Sequence, residues 1–237
     1  EAFGDYYDEL VKKIRGALVK HIDETSWRIN GKNNWLWIFI NKEVALYAIR
    51  EKRSSILPKD ILGDQKDKTI VSDRLETYSQ LAKDAGSVQQ ICWTHLLRNS
   101  KDLAKHYQEA KYIHKRMKTI YRKAKEGKTS QRKLLKWIDC MGSRPYTSHE
   151  VFKFVRAICR KHREDLFRFV DNPEVDPTND LAERGLRHPV VIRKISNGSR
   201  SYKGAEVTER LLSVTQTIKM NHANLMNGML NVLQNTE

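Results

Sequence analysis

The stretch Trp35-Leu36-Trp37-Ile38-Phe39-Ile40 is a run of six apolar residues that contains no charge. A strand that is apolar at every position has no face for water, so we expect a sheet that is covered on both sides. Two further strand-like runs flank it at residues 18–23 and 44–49, and short polar turns at 31–34 and 41–43 separate the three. The pattern predicts three consecutive antiparallel strands.

Helical and strand-like segments alternate on either side of these strands. An amphipathic helix at 5–18 leads into the first strand. A helical stretch around 54–62 precedes a strand at 69–72, and a second helical stretch around 78–85 precedes a strand at 90–93. Three antiparallel strands followed by helix, strand, helix and strand predict an α/β fold. It is a mixed five-stranded sheet flanked by helices, with the topology of the ribonuclease H fold.

A long helical region is predicted after the fifth strand. Residues 101–124 carry apolar side chains at three- and four-residue spacing, and a second helix is predicted around 134–141. Thr147 and Glu150 have the spacing of a capping box, which predicts the start of a third helix. A final helical region at 205–233 closes the chain.

We predict that these segments form one domain over residues 1–237. Its ribonuclease H-like core would comprise residues 17–98 and 174–237, with an all-helical insertion at 99–173. Much of the positive charge lies at the insertion, because residues 98–136 contain 14 Lys and Arg against three acids. Such a cluster predicts a surface that binds along the phosphate backbone of a nucleic acid, and this binding should weaken steeply with salt.

The whole chain is strongly basic, with 44 Lys and Arg against 29 Asp and Glu and a net charge of +15. This surplus predicts a polyanionic partner, either nucleic acid or an anionic membrane surface. No apolar stretch approaches the roughly 20 residues of a membrane span, and no signal peptide is visible, so nucleic acid is favoured. Three scattered cysteines are typical of a reducing compartment. We therefore expect a cytoplasmic, nucleoid-associated protein.

Three acidic residues are candidates for binding divalent metals. Asp23 closes the first predicted strand, Asp73 closes the fourth, and Glu183 lies at the start of a predicted helix. Mg²⁺ prefers oxygen ligands, and two ions about 3.5–4 Å apart can activate an attacking oxygen and stabilise a leaving one. Adjacent strand residues face opposite ways, so Asp23 rather than Glu24 is predicted to point into the site. Each acid alone could be a turn or capping residue, but their order and fold context favour a metal site.

A second group of candidates would support the site or bind DNA. Its members are His95, Arg98, Arg187, Arg193, Lys194, Arg200 and Lys203. The glycine-bracketed loop at 197–204 is rich in hydroxyls and cations, which suits phosphate contact. Cys92 and His95 have a spacing that suits a metal, but zinc needs about four ligands and no second pair has finger spacing. Trp27 and Trp93 are core candidates, with base stacking as the alternative.

Taken together, these residues resemble the catalytic domain of DDE transposases of the insertion sequence 66 family. Four blocks carry the resemblance: His21-Ile22-Asp23-Glu24-Thr25-Ser26-Trp27 with Asn30-Gly31-Lys32 and Trp35-Leu36-Trp37; Val71-Ser72-Asp73 with Tyr78; Cys92-Trp93-Thr94-His95-Leu96-Leu97-Arg98; and Asn179-Asp180-Leu181-Ala182-Glu183-Arg184-Gly185-Leu186-Arg187 with Arg193-Lys194. The resemblance implies Mg²⁺ dependence with two ions, for which Mn²⁺ could substitute. By position it implies that Asp23, Asp73 and Glu183 are the catalytic, metal-binding trio. Family members often have Asp-Asn-Asn before Ala-Glu-Arg, where this chain has Asn179-Asp180.

The resemblance implies the transposase of a prokaryotic insertion sequence, which cleaves DNA at element ends and transfers the strands into target DNA. A homo-oligomer would bring two ends together. Two alternatives stay open. One is a ribonuclease H-like nuclease that cuts RNA–DNA hybrids or branched DNA. The other follows from the short stretch before the first strand: a truncated, non-autonomous DNA-binding remnant, for which a separate DNA-recognition or accessory protein would be needed.

Overall fold

The computed structural model describes residues 2–51, 60–222 and 224–234. Most of the helix predicted around 54–62 therefore lies outside the described residues, although residues 60–62 are helical. Within the described ranges, no helix is both long and apolar enough to cross a membrane.

The chain divides into two compact units. The first, which we call the sheet unit, comprises Glu1–Val88 and Asn179–Glu237, and the second, the helical unit, comprises Gln89–Thr178. In chain order the elements are α1 (Ala2–Gly16), β1 (Val19–Ile29), β2 (Lys32–Ile40), β3 (Ala45–Arg50), β4 (Thr69–Ser72), α2 (Glu76–Ala85), β5 (Val88–Ile91), α3 (Trp93–His106), α4 (Gln108–Lys125), α5 (Gln131–Gly142), α6 (His149–Arg156), a π-helical turn (Ala157–Lys161), a 3₁₀ turn (Arg163–Asp165), α7 (Arg168–Asp171), α8 (Asp180–Ser196), α9 (Tyr202–Asn221) and α10 (Leu225–Gln234).

The strands form one mixed sheet in the order β3-β2-β1-β4-β5. Strand β1 pairs antiparallel with β2, and β2 with β3, whereas β1 and β4 are parallel. The predicted α/β class and the mixed five-stranded sheet with flanking helices are thus confirmed, and the arrangement is consistent with a ribonuclease H-like fold.

Alternate residues of β2 enter two separate apolar cores of the sheet unit. Trp37 and Phe39 pack with side chains of α1 and α2. Leu36, Ile38 and Ile40 pack on the other face with side chains of α8 and α9. Because successive strand residues point to opposite faces, an uninterrupted apolar run requires a cover on each side. The prediction that this strand is covered on both sides is confirmed.

Strand β1 is longer than the sequence predicted. The predicted strand ended at Asp23 and the predicted turn was 31–34, but β1 continues to Ile29 and the turn is Asn30-Gly31. The two turn residues have φ values of 49° and 74°. Positive φ at both positions gives the type I′ turn, whose twist matches that of an antiparallel hairpin. Asp23 therefore lies within β1, opposite Ile38, and its placement at a strand end was wrong.

Strand β5 and helix α3 begin earlier than predicted. The predicted strand 90–93 is Val88–Ile91, and Trp93 is already the first residue of α3. The indole Nε1 of Trp93 donates a hydrogen bond of 2.6 Å to the Leu166 carbonyl, so this apolar residue packs in the helical unit. The helix predicted at 101–124 is two helices, α3 and α4, because the backbone is extended at Tyr107.

The predicted capping box at the start of α6 is wrong. The N–H and the hydroxyl of Thr147 donate to Glu109 of α4, at 3.1 and 3.3 Å. Ser148 is the N-cap residue, and its side chain makes no cap hydrogen bond. The Thr147–Glu109 contact joins residues 38 positions apart, and a local sequence signal does not contain such a partner.

Lys20 of β1 is fully buried in the sheet unit. Its Nζ donates to Gln65 Oε1 and, at 3.4 Å, to the Arg15 carbonyl. Burial and the nearby charge of Lys68 lower the pKa of Lys20 to about 7. In the unfolded chain the pKa returns to about 10.4, so between these values the unfolded state binds more protons than the native state.

We expect the free energy of unfolding of the parent chain to rise with pH relative to that of Lys20→Met. The difference should grow by about 1.4 kcal/mol per pH unit between pH 7 and 10, and should be flat below pH 7. Urea denaturation of both chains at several pH values measures it. Parallel pH profiles for the two chains would contradict the lowered pKa.

Candidate functional site

The three predicted acids belong to three elements of the sheet unit. Asp23 lies in β1, Asp73 follows the last residue of β4, and Glu183 lies in the first turn of α8. The parallel pairing of β1 and β4 sets His21 opposite Val71. If this register continues for two more residues along each strand, Asp23 lies beside Asp73 and both side chains are on the same face of the sheet.

The side of the sheet that Asp23 faces is the side on which α8 packs. Asp23 is opposite Ile38 of β2, and Ile38 belongs to the core shared with α8 and α9. Glu24 is opposite Trp37, which belongs to the core shared with α1 and α2. The alternation of side chains along β1 therefore directs Asp23, and not Glu24, towards the helix that carries Glu183.

The carboxyl group of Asp23 lies in a strongly acidic environment. Burial is the main cause that raises its pKa to about 7, and the carboxylates of Glu24, Asp73 and Glu183 raise it further. A hydrogen bond of 2.9 Å from the Glu24 N–H to Asp23 Oδ1 acts in the opposite direction. Asp73 is held by a bond of 2.8 Å from the Leu75 N–H to its Oδ1.

This donor set fits a hard divalent cation. Asp23, Asp73 and Glu183 offer only carboxylate oxygens, the ligand type that Mg²⁺ and Mn²⁺ prefer. Burial and, to a lesser extent, the neighbouring carboxylates raise the pKa of Asp23, and a bound cation would relieve the repulsion among these carboxylates.

Asn179 fixes the start of α8 to β1, a role that the sequence did not predict. Its side chain is fully buried. The amide Nδ2 donates to the Ile22 carbonyl at 2.9 Å, and Oδ1 lies 3.2 Å from Nδ1 of His21. The Asn179 carbonyl accepts the N–H of Glu183 at 3.1 Å, which begins the helix. The residue thus sets where Glu183 lies relative to the strand that carries Asp23.

Gly185 allows α8 to approach the sheet closely. A Cβ atom at this position would lie 2.3 Å from Cδ1 of Ile38, closer than any real contact allows. The Gly185 carbonyl accepts a hydrogen bond of 2.7 Å from the Tyr47 hydroxyl of β3. Both observations show that the backbone of α8 lies directly against the strands one turn after its start.

We expect Asn179→Ala to lower the free energy of unfolding by about 1–3 kcal/mol, because it leaves the buried Ile22 carbonyl without its donor. Chemical denaturation of the parent and variant chains measures this loss. Asp180→Ala, at the neighbouring position, is the matched control. An Asn179→Ala chain with parent stability would contradict the role of the Asn179 side chain.

The predicted DNA-binding residues of α8 differ in their surroundings. Arg187 and Lys194 are exposed. Arg193 is half-buried, and its Nη1 donates to Thr25 Oγ1 at 2.9 Å and to Ser26 Oγ at 2.6 Å. Arg193 therefore fastens the end of α8 to β1, whereas Arg187 and Lys194 face solvent.

The glycine-containing loop after α8 is bound to the far end of β1. The Ser199 N–H donates to the Arg28 carbonyl at 2.8 Å, and its hydroxyl accepts a bond of 3.1 Å from Trp27 Nε1. Gly198 has a φ of 106°, and a Cβ there would lie 2.3 Å from the Arg28 carbonyl oxygen, so only glycine fits. Arg200 follows on this fixed loop and Lys203 lies in the first turn of α9, and both are exposed.

Two predicted supporting residues lie on α3 of the helical unit. His95 is half-buried and Arg98 is exposed. Trp27 of the sheet unit and Trp93 of the helical unit are both buried, and Trp93 stacks on Tyr121. The prediction that these two tryptophans are core residues is confirmed.

Comparison with known protein families gives a match over most of the chain. Residues 1–207 match the model of a family described as Transposase IS66 family. The matched range contains Asp23, Asp73 and Glu183. No curated protein matches the chain.

Proposed function

The chain belongs to the IS66 family of transposases, and from this premise we propose that it cleaves DNA at the ends of an insertion sequence and joins them to target DNA. The observation that carries the proposal is the acidic environment of Asp23, to which Asp73 and Glu183 both contribute. Three carboxylates from two parallel strands and a packed helix are the donor set that metal-dependent phosphodiester chemistry requires.

We propose that Asp23, Asp73 and Glu183 hold divalent metal, two Mg²⁺ ions in the working enzyme, with Mn²⁺ able to replace them. Bound metal supplies stabilisation of the negative charge that develops on the phosphate oxygens during cleavage and joining. The protein supplies rigid ligand positions. The Leu75 N–H orients Asp73, and Asn179 sets the start of the helix that carries Glu183.

Exposed cations near these elements would hold the DNA backbone. Arg187 and Lys194 on α8, with Arg200 and Lys203 after it, are proposed phosphate contacts, and their binding should weaken with salt. Arg193 would support these phosphate contacts by holding the end of α8 against β1. For His95 and Arg98 we propose a supporting or DNA-binding role at the start of α3.

The helical unit is proposed to be an insertion within a single catalytic domain, ahead of the glutamate. Synapsis of two element ends would require a homo-oligomer. A separate DNA-recognition or accessory protein would assist it, and the reaction would take place in the cytoplasm on the nucleoid.

A comparison of DNA substrates tests the proposed function. The substrates are a duplex carrying the inverted repeats that flank the gene, a duplex of random sequence, an RNA–DNA hybrid and a branched DNA, each with and without Mg²⁺. We expect Mg²⁺-dependent cleavage at the repeat ends that leaves a 3′-hydroxyl, followed by its joining to a target plasmid. Preferred cleavage of the hybrid or the branch would instead support a ribonuclease H-like nuclease. Binding without cleavage of any substrate would support a DNA-binding remnant.

A further inference from the structure

One face of α6 and of the π-helical turn after it presents a row of cations around an exposed aromatic ring. A groove of about 500 Å³ lies along this face. We call it the α6 face, and its polar and aromatic residues are His149, Phe152, Lys153, Arg156, Arg160 and Lys161.

The opposite side of the same segment explains why these residues point outwards. Val151, Phe154, Val155 and Ile158 are buried in the apolar core of the helical unit. The residues of the α6 face recur at three- and four-residue spacing on the other side, so helical periodicity turns them together towards solvent. The π-helical turn at Ala157–Lys161 continues the segment, and such turns are frequent at functional sites.

Three cations of the α6 face keep a charge that no described carboxylate neutralises. In the part of the chain that the structure describes, Lys153, Arg156 and Arg160 form no ion pair with a carboxylate. Asp139 of α5 is engaged by Arg163, at 2.7 Å. A surface that keeps three adjacent unpaired cations has a strong preference for a polyanion.

We propose that the α6 face binds the sugar–phosphate backbone of DNA and that Phe152 contacts a base where the strand is unpaired. The proposal takes its DNA partner from the proposed function. From Lys153 to Lys161 the segment rises by about 12 Å, and a duplex of that length carries about seven phosphate charges. Phe152 is 46% exposed beside these cations, and an exposed ring on a basic groove is the arrangement that stacks on unpaired bases.

DNA binding without divalent metal tests the phosphate contacts. The Arg156→Ala/Arg160→Ala chain is compared with the parent and with Lys12→Ala/Lys219→Ala, which removes two exposed charges from the sheet unit. Fluorescence anisotropy with a blunt duplex is measured from 50 to 200 mM salt. We expect the arginine variant to lose about tenfold in affinity and about two units of the salt slope. The lysine variant should stay within about twofold of the parent.

The outcomes separate this proposal from the proposed function. A parent chain that does not bind DNA overturns both. If the parent chain binds DNA but the arginine variant has the same affinity and salt slope as the lysine variant, only the proposal for the α6 face is overturned. Because all four substituted side chains are exposed, unchanged thermal unfolding of the variants is expected and is measured alongside.

Phe152→Ala tests the aromatic contact separately. Loss of a stacked ring should weaken binding to a duplex with a single-stranded extension by about fivefold or more. Binding to the blunt duplex should stay within about twofold of the parent value. Equal affinities of the parent and Phe152→Ala chains for the extended duplex would overturn the contact with an unpaired base.

Discussion

Replacing Glu183 with Gln is expected to abolish Mg²⁺-dependent strand cleavage while DNA binding stays within about twofold of the parent. The substitution keeps the shape of the side chain and removes the charge that a divalent cation requires. Metal ions contribute several kcal/mol of transition-state stabilisation, so we expect a loss of about a thousandfold or more in the cleavage rate. A single-turnover cleavage assay, together with anisotropy of the same labelled DNA, measures the rate and the binding.

Asp180→Asn is the matched control for this substitution. Asp180 is a second acid in the first turn of α8 and is likewise partly exposed, but it is not one of the predicted ligands. We expect its cleavage rate to stay within about threefold of the parent rate. Cleavage by Glu183→Gln at the parent rate, or an equal loss in Asp180→Asn, would contradict the assignment of Glu183.

Gly185→Ala is expected to lower the free energy of unfolding by about 1–3 kcal/mol and to reduce cleavage as well. The new Cβ would lie 2.3 Å from Cδ1 of Ile38, so α8 must move away from β2. This movement shifts Glu183, which lies two residues earlier in the same helix. Urea denaturation and the cleavage assay measure the two effects. They should change together, because one displacement of α8 causes both.

The colliding atom provides a direct rescue. Ile38→Val removes Cδ1, and the other neighbours of the new Cβ, at Ile40 and Tyr47, are 3.4 and 3.6 Å away. The double variant Gly185→Ala/Ile38→Val should therefore recover most of the lost stability and cleavage. Gly4→Ala in α1, where a Cβ would lie 3.6 Å from Arg210, should be neutral or slightly stabilising. Destabilisation that Ile38→Val does not relieve would contradict the close approach of α8 to β2.

Much of the sheet was predictable because its signals are local. The six apolar residues of β2 predicted a strand covered on both faces, and strand β4 was predicted with its observed bounds. The end of β1 was missed because polar Glu24, Thr25 and Ser26 resemble the end of a strand. They continue the ladder because β2 pairs with them, and the Asn30-Gly31 turn sets that register. The turn pair was present in the sequence and outweighs the polarity of the residues before it.

At the candidate site too, features set by neighbouring residues were predictable from the sequence, whereas contacts between distant residues were not. Alternation along a strand predicted that Asp23 and Glu24 face opposite ways, and the structure sets the two residues on opposite faces of the sheet. The role of Asn179 was not predictable, because its partner Ile22 is 157 positions away. The contact of Arg193 with Thr25 joins residues 168 positions apart. The spacing of residues within a motif does not predict either of these distant contacts.

Binding of Mn²⁺ to the DNA-bound chain, followed by electron paramagnetic resonance, tests the central claim most directly. The chains compared are the parent, Asp23→Asn/Asp73→Asn, and Glu24→Gln as a control on the opposite face of β1. We predict that the double variant loses at least about tenfold in Mn²⁺ affinity, while Glu24→Gln stays close to the parent. Equal Mn²⁺ binding by the parent and Asp23→Asn/Asp73→Asn would contradict a metal site built on these carboxylates.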